Sequence, residues 1–218
     1  ARTLRELNNH IKTHLSTDCF LAYEITEIMS SLASKVEERT GELKGTLAAA
    51  LKPVRETAKL SLTELLENTK RNVGALQAIP GDGAPVPIVS ETMRRLQAMV
   101  EFLRPISSIM ISLGDGGWKS LSSANRSTDA VPSLASFDIT ADGNELFAHY
   151  CADTIDALLT ALDQKARVLL KGKSIMGVFL ANSVIIIERM IRESELSPLL
   201  AGRLGVLESW RKKATALY

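Results

Sequence analysis

His10 and His14 lie four residues apart on a helical pattern, the spacing that lets two imidazoles meet one zinc ion. A zinc hydrolase would also place a glutamate directly after the first histidine, and position 11 is Ile. No third ligand adjoins them in sequence, so the pair reads as two polar surface side chains and no metal ligands are assigned. Gly81-Asp82-Gly83 and Gly114-Asp115-Gly116-Gly117 could cradle phosphate, but neither has Walker or dinucleotide spacing and neither follows a strand. Lys119 comes after the second without the Gly-Lys-Ser/Thr order. No nucleophile elbow is present, and Glu37-Glu38 beside Arg39 reads as a solvated helix face. The chain is therefore expected to be no enzyme, with no catalytic residues and no cofactor.

The remaining candidate chemistry is charge. Lys165, Arg167, Lys171 and Lys173 gather around one helix joint, and Arg211-Lys212-Lys213 forms a second short run. Cations near helix C-termini are favoured by the macrodipole and need no partner. The sharper reading makes Lys165, Arg167, Lys171 and Lys173 contacts for an acidic partner surface or for anionic lipid headgroups. The whole chain carries 26 basic and 25 acidic side chains, so it lacks the strong basic field of a nucleic-acid binder. Cys19 and Cys151 are two isolated thiols, expected to be reduced and buried, which suits a reducing compartment.

These residues sit on helices. At 218 residues, 45% hydrophobic and 5% aromatic, the chain has a helical composition and enough apolar mass for a sizeable core. A first helix is expected over Thr3–Leu15, with Ser16 or Asp18 capping the next. Leu21, Ile25, Ile28, Leu32 and Val36 recur at three- and four-residue steps, and Leu43, Leu47 and Leu51 continue them. Pro53 should kink or break that helix, and Val54, Ala58, Leu62 and Leu65 resume the stripe. Three prolines and two glycines within Ile79–Pro87 predict a linker. Helix resumes near Ile88 with Ser90 as a possible cap, and Pro105 predicts a kink. Gly114–Gly143 reads as a long exposed loop whose ends Trp118 and Phe137 pin to the body. A further helix carries Phe147, Cys151, Ile155, Leu158, Leu162, Ala166 and Leu169. It breaks at Gly172 and restarts over Ser174–Arg192. The apolar run Ile175–Ile187 is too short for a bilayer, which takes about 20 residues. Ser197-Pro198 should open a last helix running toward Tyr218. The fold class is all-α: long antiparallel helices in bundles. The expected division is a bundle segment over 1–79, a linker at 80–88, and a second bundle over 89–218 with its loop at 114–143.

Three stretches carry a resemblance. Pro80-Gly81-Asp82-Gly83-Ala84-Pro85-Val86-Pro87-Ile88-Val89-Ser90 is similar to a Pro-x-Asp-Gly linker leading into a helix, and Leu96-Gln97-Ala98-Met99-Val100-Glu101-Phe102-Leu103 follows a Leu-Gln-x-Leu-x-x-Phe pattern. Leu158 to Lys165 is like a Leu-x-x-Asn-Leu-x-x-Lys helix. Val178-Phe179-Leu180-Ala181-Asn182 resembles an Ile-Phe-Leu-x-Asn-Asn segment, followed by Ser194-Glu195-Leu196. In order and spacing these resemble the seventy-kilodalton exocyst subunit family of filamentous fungi, best from Leu76 to Tyr218. Ser183, Ile186-Ile187 and Ala84-Pro85-Val86-Pro87 depart from the family pattern.

The resemblance implies an elongated rod of stacked, cullin-repeat-like helical bundles, of which this chain would be a middle fragment. It implies a non-enzymatic subunit that tethers secretory vesicles to the plasma membrane in exocytosis. The implied partners are other exocyst subunits, a Rho-family small GTPase, and plasma-membrane phosphoinositides bound mostly through a region outside this fragment. The implied location is cytoplasmic, peripheral at plasma-membrane sites of secretion. The alternative function is a Rho-type GTPase- or phosphoinositide-binding module in its own right.

Overall fold

The structure is a computed structural model that describes residues 2–37, 42–119 and 142–218. Among the described residues it is all-α, without strands. The helices are α1 (Arg2–Thr13), α2 (Leu15–Glu37), α3 (Glu42–Ala75), α4 (Pro87–Val100), α5 (Leu103–Leu113), α6 (Gly143–Leu169), α7 (Lys173–Arg192), α8 (Leu196–Leu200) and α9 (Gly205–Leu217). Contacts group the chain into two units, each built from two stretches: 1–65 with 102–147, and 66–101 with 148–218. They are interleaved along the chain. α3 and α6 each contribute to both, and α4 and α5 fall on either side of the division.

In the first unit α2 packs against α1 and α5. Its core gathers Ile11, Tyr23, Val54, Leu62, Ile106 and Trp118, all essentially inaccessible to solvent. Phe20, Tyr23 and Phe102 form an aromatic cluster with ring centroids 5.6–6.2 Å apart. Tyr23 places its hydroxyl 2.8 Å from Ser61 Oγ, so the buried phenol joins α2 to α3 with its polar end satisfied. Thr57 donates to Asn8 Oδ1 at 2.7 Å, joining α3 to α1. Trp118 sits in a 3-10 turn at Gly117–Lys119 and is fully buried, as a pin at one end of the loop requires. Residues 120–141, with Phe137 and most of the expected loop, lie outside the described residues.

Several local expectations are corrected. Of the kink or break expected at Pro53, the break does not occur: α3 runs through it from Glu42 to Ala75. Leu51, Val54 and Ala58 around it are buried, and that packing offsets the lost backbone bond. Ile28 and Leu32 belong to the expected stripe of α2 but are 58% and 44% exposed. α4 starts at Pro87 with Val86 as N-cap, so Ser90 caps nothing. Proline suits this first position because its fixed φ is helical and its missing N–H would have had no partner. The chain breaks at Glu101–Phe102 instead of kinking at Pro105, and Pro105 then occupies the first turn of α5. α8 begins at Leu196, before Ser197-Pro198, and ends at Leu200. The last segment is thus two helices with a turn between them.

The second unit is organised around α7, which packs against α9, α4 and α8. By length and composition α7 could cross a membrane, being a 20-residue apolar helix. One apolar face of it is instead spent on the core. Met176, Phe179, Leu180, Val184, Ile187 and Ile191 are buried at three- and four-residue steps, the stripe of an amphipathic core helix. α6 contributes Cys151, Ile155, Leu158, Leu162 and Ala166 to the same unit. Both cysteines are buried, and burial pushes the Cys151 thiol well above its ordinary range.

Candidate functional site

The basic joint lies between the end of α6 and the start of α7, and the structure separates its four cations into two kinds. Lys165 is half-buried and donates from Nζ to the Gly74 carbonyl at 2.7 Å. Gly74 is in the last turn of α3, whose carbonyls have no partner within their own helix, so Lys165 caps a neighbouring helix. Arg167 donates from Nε to Asp163 Oδ2 at 3.1 Å, one turn back on α6. That same oxygen accepts Lys213 Nζ at 3.0 Å from α9. Asp163 is buried, and a buried carboxylate needs such compensation. Lys213 also stands 4.1 Å from the centre of the Trp210 ring, and Trp210 Nε1 donates to Asp156 Oδ1 at 2.8 Å. Arg211 pairs with Glu188 of α7. Arg211 and Lys213 of the second basic run thus serve as ties from α9 to α7 and α6.

Lys171 and Lys173 are exposed. They flank Gly172, the N-cap of α7, at φ 122°. α7 has no side-chain cap and no acidic residue in its first turn. Two cations therefore sit at the positive end of a helix dipole, where they oppose it by about 0.3–1 kcal/mol each. An anion placed between them would meet both lysines and uncapped N–H groups.

From its place in the chain, Asn182 is expected to satisfy a local hydrogen bond inside its bundle. Its Nδ2 instead donates to the Gly83 carbonyl at 2.9 Å, a residue 99 positions earlier. Gly83 has φ +77°, and a Cβ there would stand 2.7 Å from Val178 Cγ1. Glycine lets the linker turn close against α7, and Asn182 then holds its carbonyl. Asp82 Oδ1 accepts from the Ala84 N–H at 3.0 Å and tightens the same turn. Asn182→Ala should lower stability by about 1–3 kcal/mol, because it leaves the acceptor on buried Gly83 without its partner. Chemical denaturation checks the size. Faster amide exchange confined to residues 79–86 would show that the loss is at the linker.

In the first unit, the structure adds to the histidine pair a residue that reading by motif missed. Asp18, four positions beyond His14, brings Oδ2 within 3.2 Å of His10 Nε2. One ligand atom from each of His10, His14 and Asp18 lies within 4.8 Å of the other two. The signal was present as a repeat of four residues over His10, His14 and Asp18. It was obscured because His14 ends one helical pattern and Asp18 belongs to the next.

Residues 1–218, the whole chain, match the sequence model for the C-terminal region of Exo70, an exocyst complex subunit. The chain belongs to the Exo70 family. The match includes the residues before Leu76, where the resemblance by motif is weakest. The chain is 70% identical over its full length to the exocyst complex protein EXO70 of Gibberella zeae and 67% identical to that of Neurospora crassa. It spans only about a third of either Exo70 relative, 35% and 34% of their lengths. Among solved structures, the crystal structure of the Saccharomyces cerevisiae exocyst component Exo70p matches with a TM-score of 0.81. That match covers 98% of this chain and 44% of the other at 19% identity, so the likeness to yeast Exo70p is one of fold.

Proposed function

We propose that the chain is a non-enzymatic helical scaffold segment of an exocyst subunit, which tethers secretory vesicles to the plasma membrane during exocytosis. The match of residues 1–218 to the Exo70 family carries this reading. It is supported by how the polar side chains of the second unit are used: Lys165, Asn182, Trp210 and Lys213 each join one helix or turn to another. Its partners are other exocyst subunits, at cytoplasmic faces of secretion sites. Affinity purification of the full-length protein should recover the remaining subunits in near-equal amounts. Recovery of none of them would sink the proposal.

A second reading concerns the joint. Lys171 and Lys173 stand exposed at an uncapped helix start and suit an acidic partner, either a Rho-type small GTPase or phosphoinositide headgroups. Lys165 and Arg167, candidates on the same grounds, are engaged within the fold. The double variant Lys171→Glu with Lys173→Glu should reduce binding to such a partner at least several-fold. The same change should raise stability by about 0.5–2 kcal/mol, since acidic groups favour a helix start. Flotation with phosphoinositide vesicles and a GTPase pull-down separate the two partners. Equal binding by variant and wild type in both assays removes the joint as a contact.

A further inference from the structure

We propose that His10, His14 and Asp18 form a surface site for a divalent transition-metal ion of the zinc class. His10 Nε2 stands 3.2 Å from Asp18 Oδ2. Two donors bound to a tetrahedral zinc ion at about 2.0–2.1 Å are themselves about 3.3 Å apart. Two of the three ligands are thus already at the separation an ion would impose. The His14 ring is tilted 36° to the His10 ring, with centroids 4.8 Å apart.

The surroundings of His14 set which nitrogen is available. Its Nδ1 lies 2.9 Å from Thr13 Oγ1 and 3.2 Å from the His10 carbonyl, both oxygens. The Thr13 hydroxyl gives its own hydrogen to that carbonyl at 2.7 Å, so its lone pairs face Nδ1. Nδ1 therefore carries the proton, and Nε2 keeps the lone pair that a metal needs. A ligating histidine that gives its other N–H to an oxygen is the usual second layer of a metal site.

The ligand types decide the class of ion. Two imidazole nitrogens and one carboxylate suit zinc, cobalt or nickel, whereas magnesium and calcium take oxygens. Three protein ligands leave a further position for water, which exposed His10 and His14 can admit. His10 comes from α1, His14 from the joint and Asp18 from α2, so the ion would clamp the turn between two helices. Binding replaces the direct His10–Asp18 contact with two bonds to the ion. Cys19 and Cys151 do not compete, because both thiols are buried.

Calorimetric titration of the full chain with zinc chloride at pH 7.5 tests the site. One equivalent should bind, and His10→Ala and Asp18→Asn should each weaken binding at least tenfold. His149→Ala should change nothing, since that histidine faces Asp153 in the other unit. Cobalt added to the wild-type chain gives a second readout that needs no variant: visible ligand-field bands that zinc abolishes. The proposal is overturned if neither metal binds, if the variants bind as wild type does, or if magnesium displaces zinc at equal concentration.

Discussion

Phe179→Ala is expected to lower the stability of the second unit by about 3–5 kcal/mol, the range for truncating a large buried aromatic. Phe179 is wholly inaccessible and lies on the stripe by which α7 meets the core. Truncation removes the ring's transfer energy and also leaves a cavity that close-packed helices fill only in part. Ile185, on the same helix, is 56% exposed, and Ile185→Ala should stay within about 0.5 kcal/mol of wild type. Guanidinium unfolding followed by far-ultraviolet circular dichroism measures both. The contrast matters more than either value. A helix chosen for length and apolarity alone, as a membrane span is, would treat the two positions alike. Equal losses would refute the assignment of α7 as a core helix of this unit.

Elements whose cause is local were legible in the sequence. Of the α6 stripe, Phe147, Cys151, Ile155, Leu158, Leu162 and Ala166 are buried and Leu169 at the helix end is half-buried, because a period of 3.6 puts those side chains on one face whatever they meet. The non-helical turn at 76–86 was legible too, since Pro and Gly chemistry acts on the residues that carry it. Where a distant partner decides, local reading stops. Pro53 is tolerated because neighbours brought by other elements bury Leu51 and Val54. Asn182 has its partner 99 residues away. Lys165 and Lys171 have the same chemistry and differ only in that α3 ends beside one of them. Ile28 and Leu32 keep the apolar spacing yet remain exposed, since the stripe shows which side chains share a face and not what covers it. The interleaving of the two units has the same origin. A chain read in order proposes cuts between neighbouring residues, whereas contacts join 66–101 to 148–218.

Gly177→Ala supplies the sharpest test of the α7–α9 contact, because local and tertiary effects predict opposite signs. In a helix interior alanine is better than glycine by about 1 kcal/mol, so propensity alone predicts stabilisation. At Gly177 a Cβ would stand 2.7 Å from the Ala214 carbonyl oxygen, 3.0 Å from the Tyr218 backbone nitrogen and 3.2 Å from Leu217 Cβ. Two of these atoms are backbone, so relief requires α9 to move as a body. α9 is held by Lys213 to Asp163, by Trp210 to Asp156 and by Arg211 to Glu188, and a shift would strain all three ties. Overpacking of this kind costs about 1–3 kcal/mol, which outweighs the propensity gain. Gly74→Ala is the control. Nothing lies within 4 Å of its Cβ position on α3, so the same exchange should stabilise by about 0.4–1 kcal/mol. Opposite signs in denaturant midpoint establish that α9 is seated against Gly177. Stabilisation by both would mean that α9 stands further from α7, and the three ties would then be surface pairs without structural consequence.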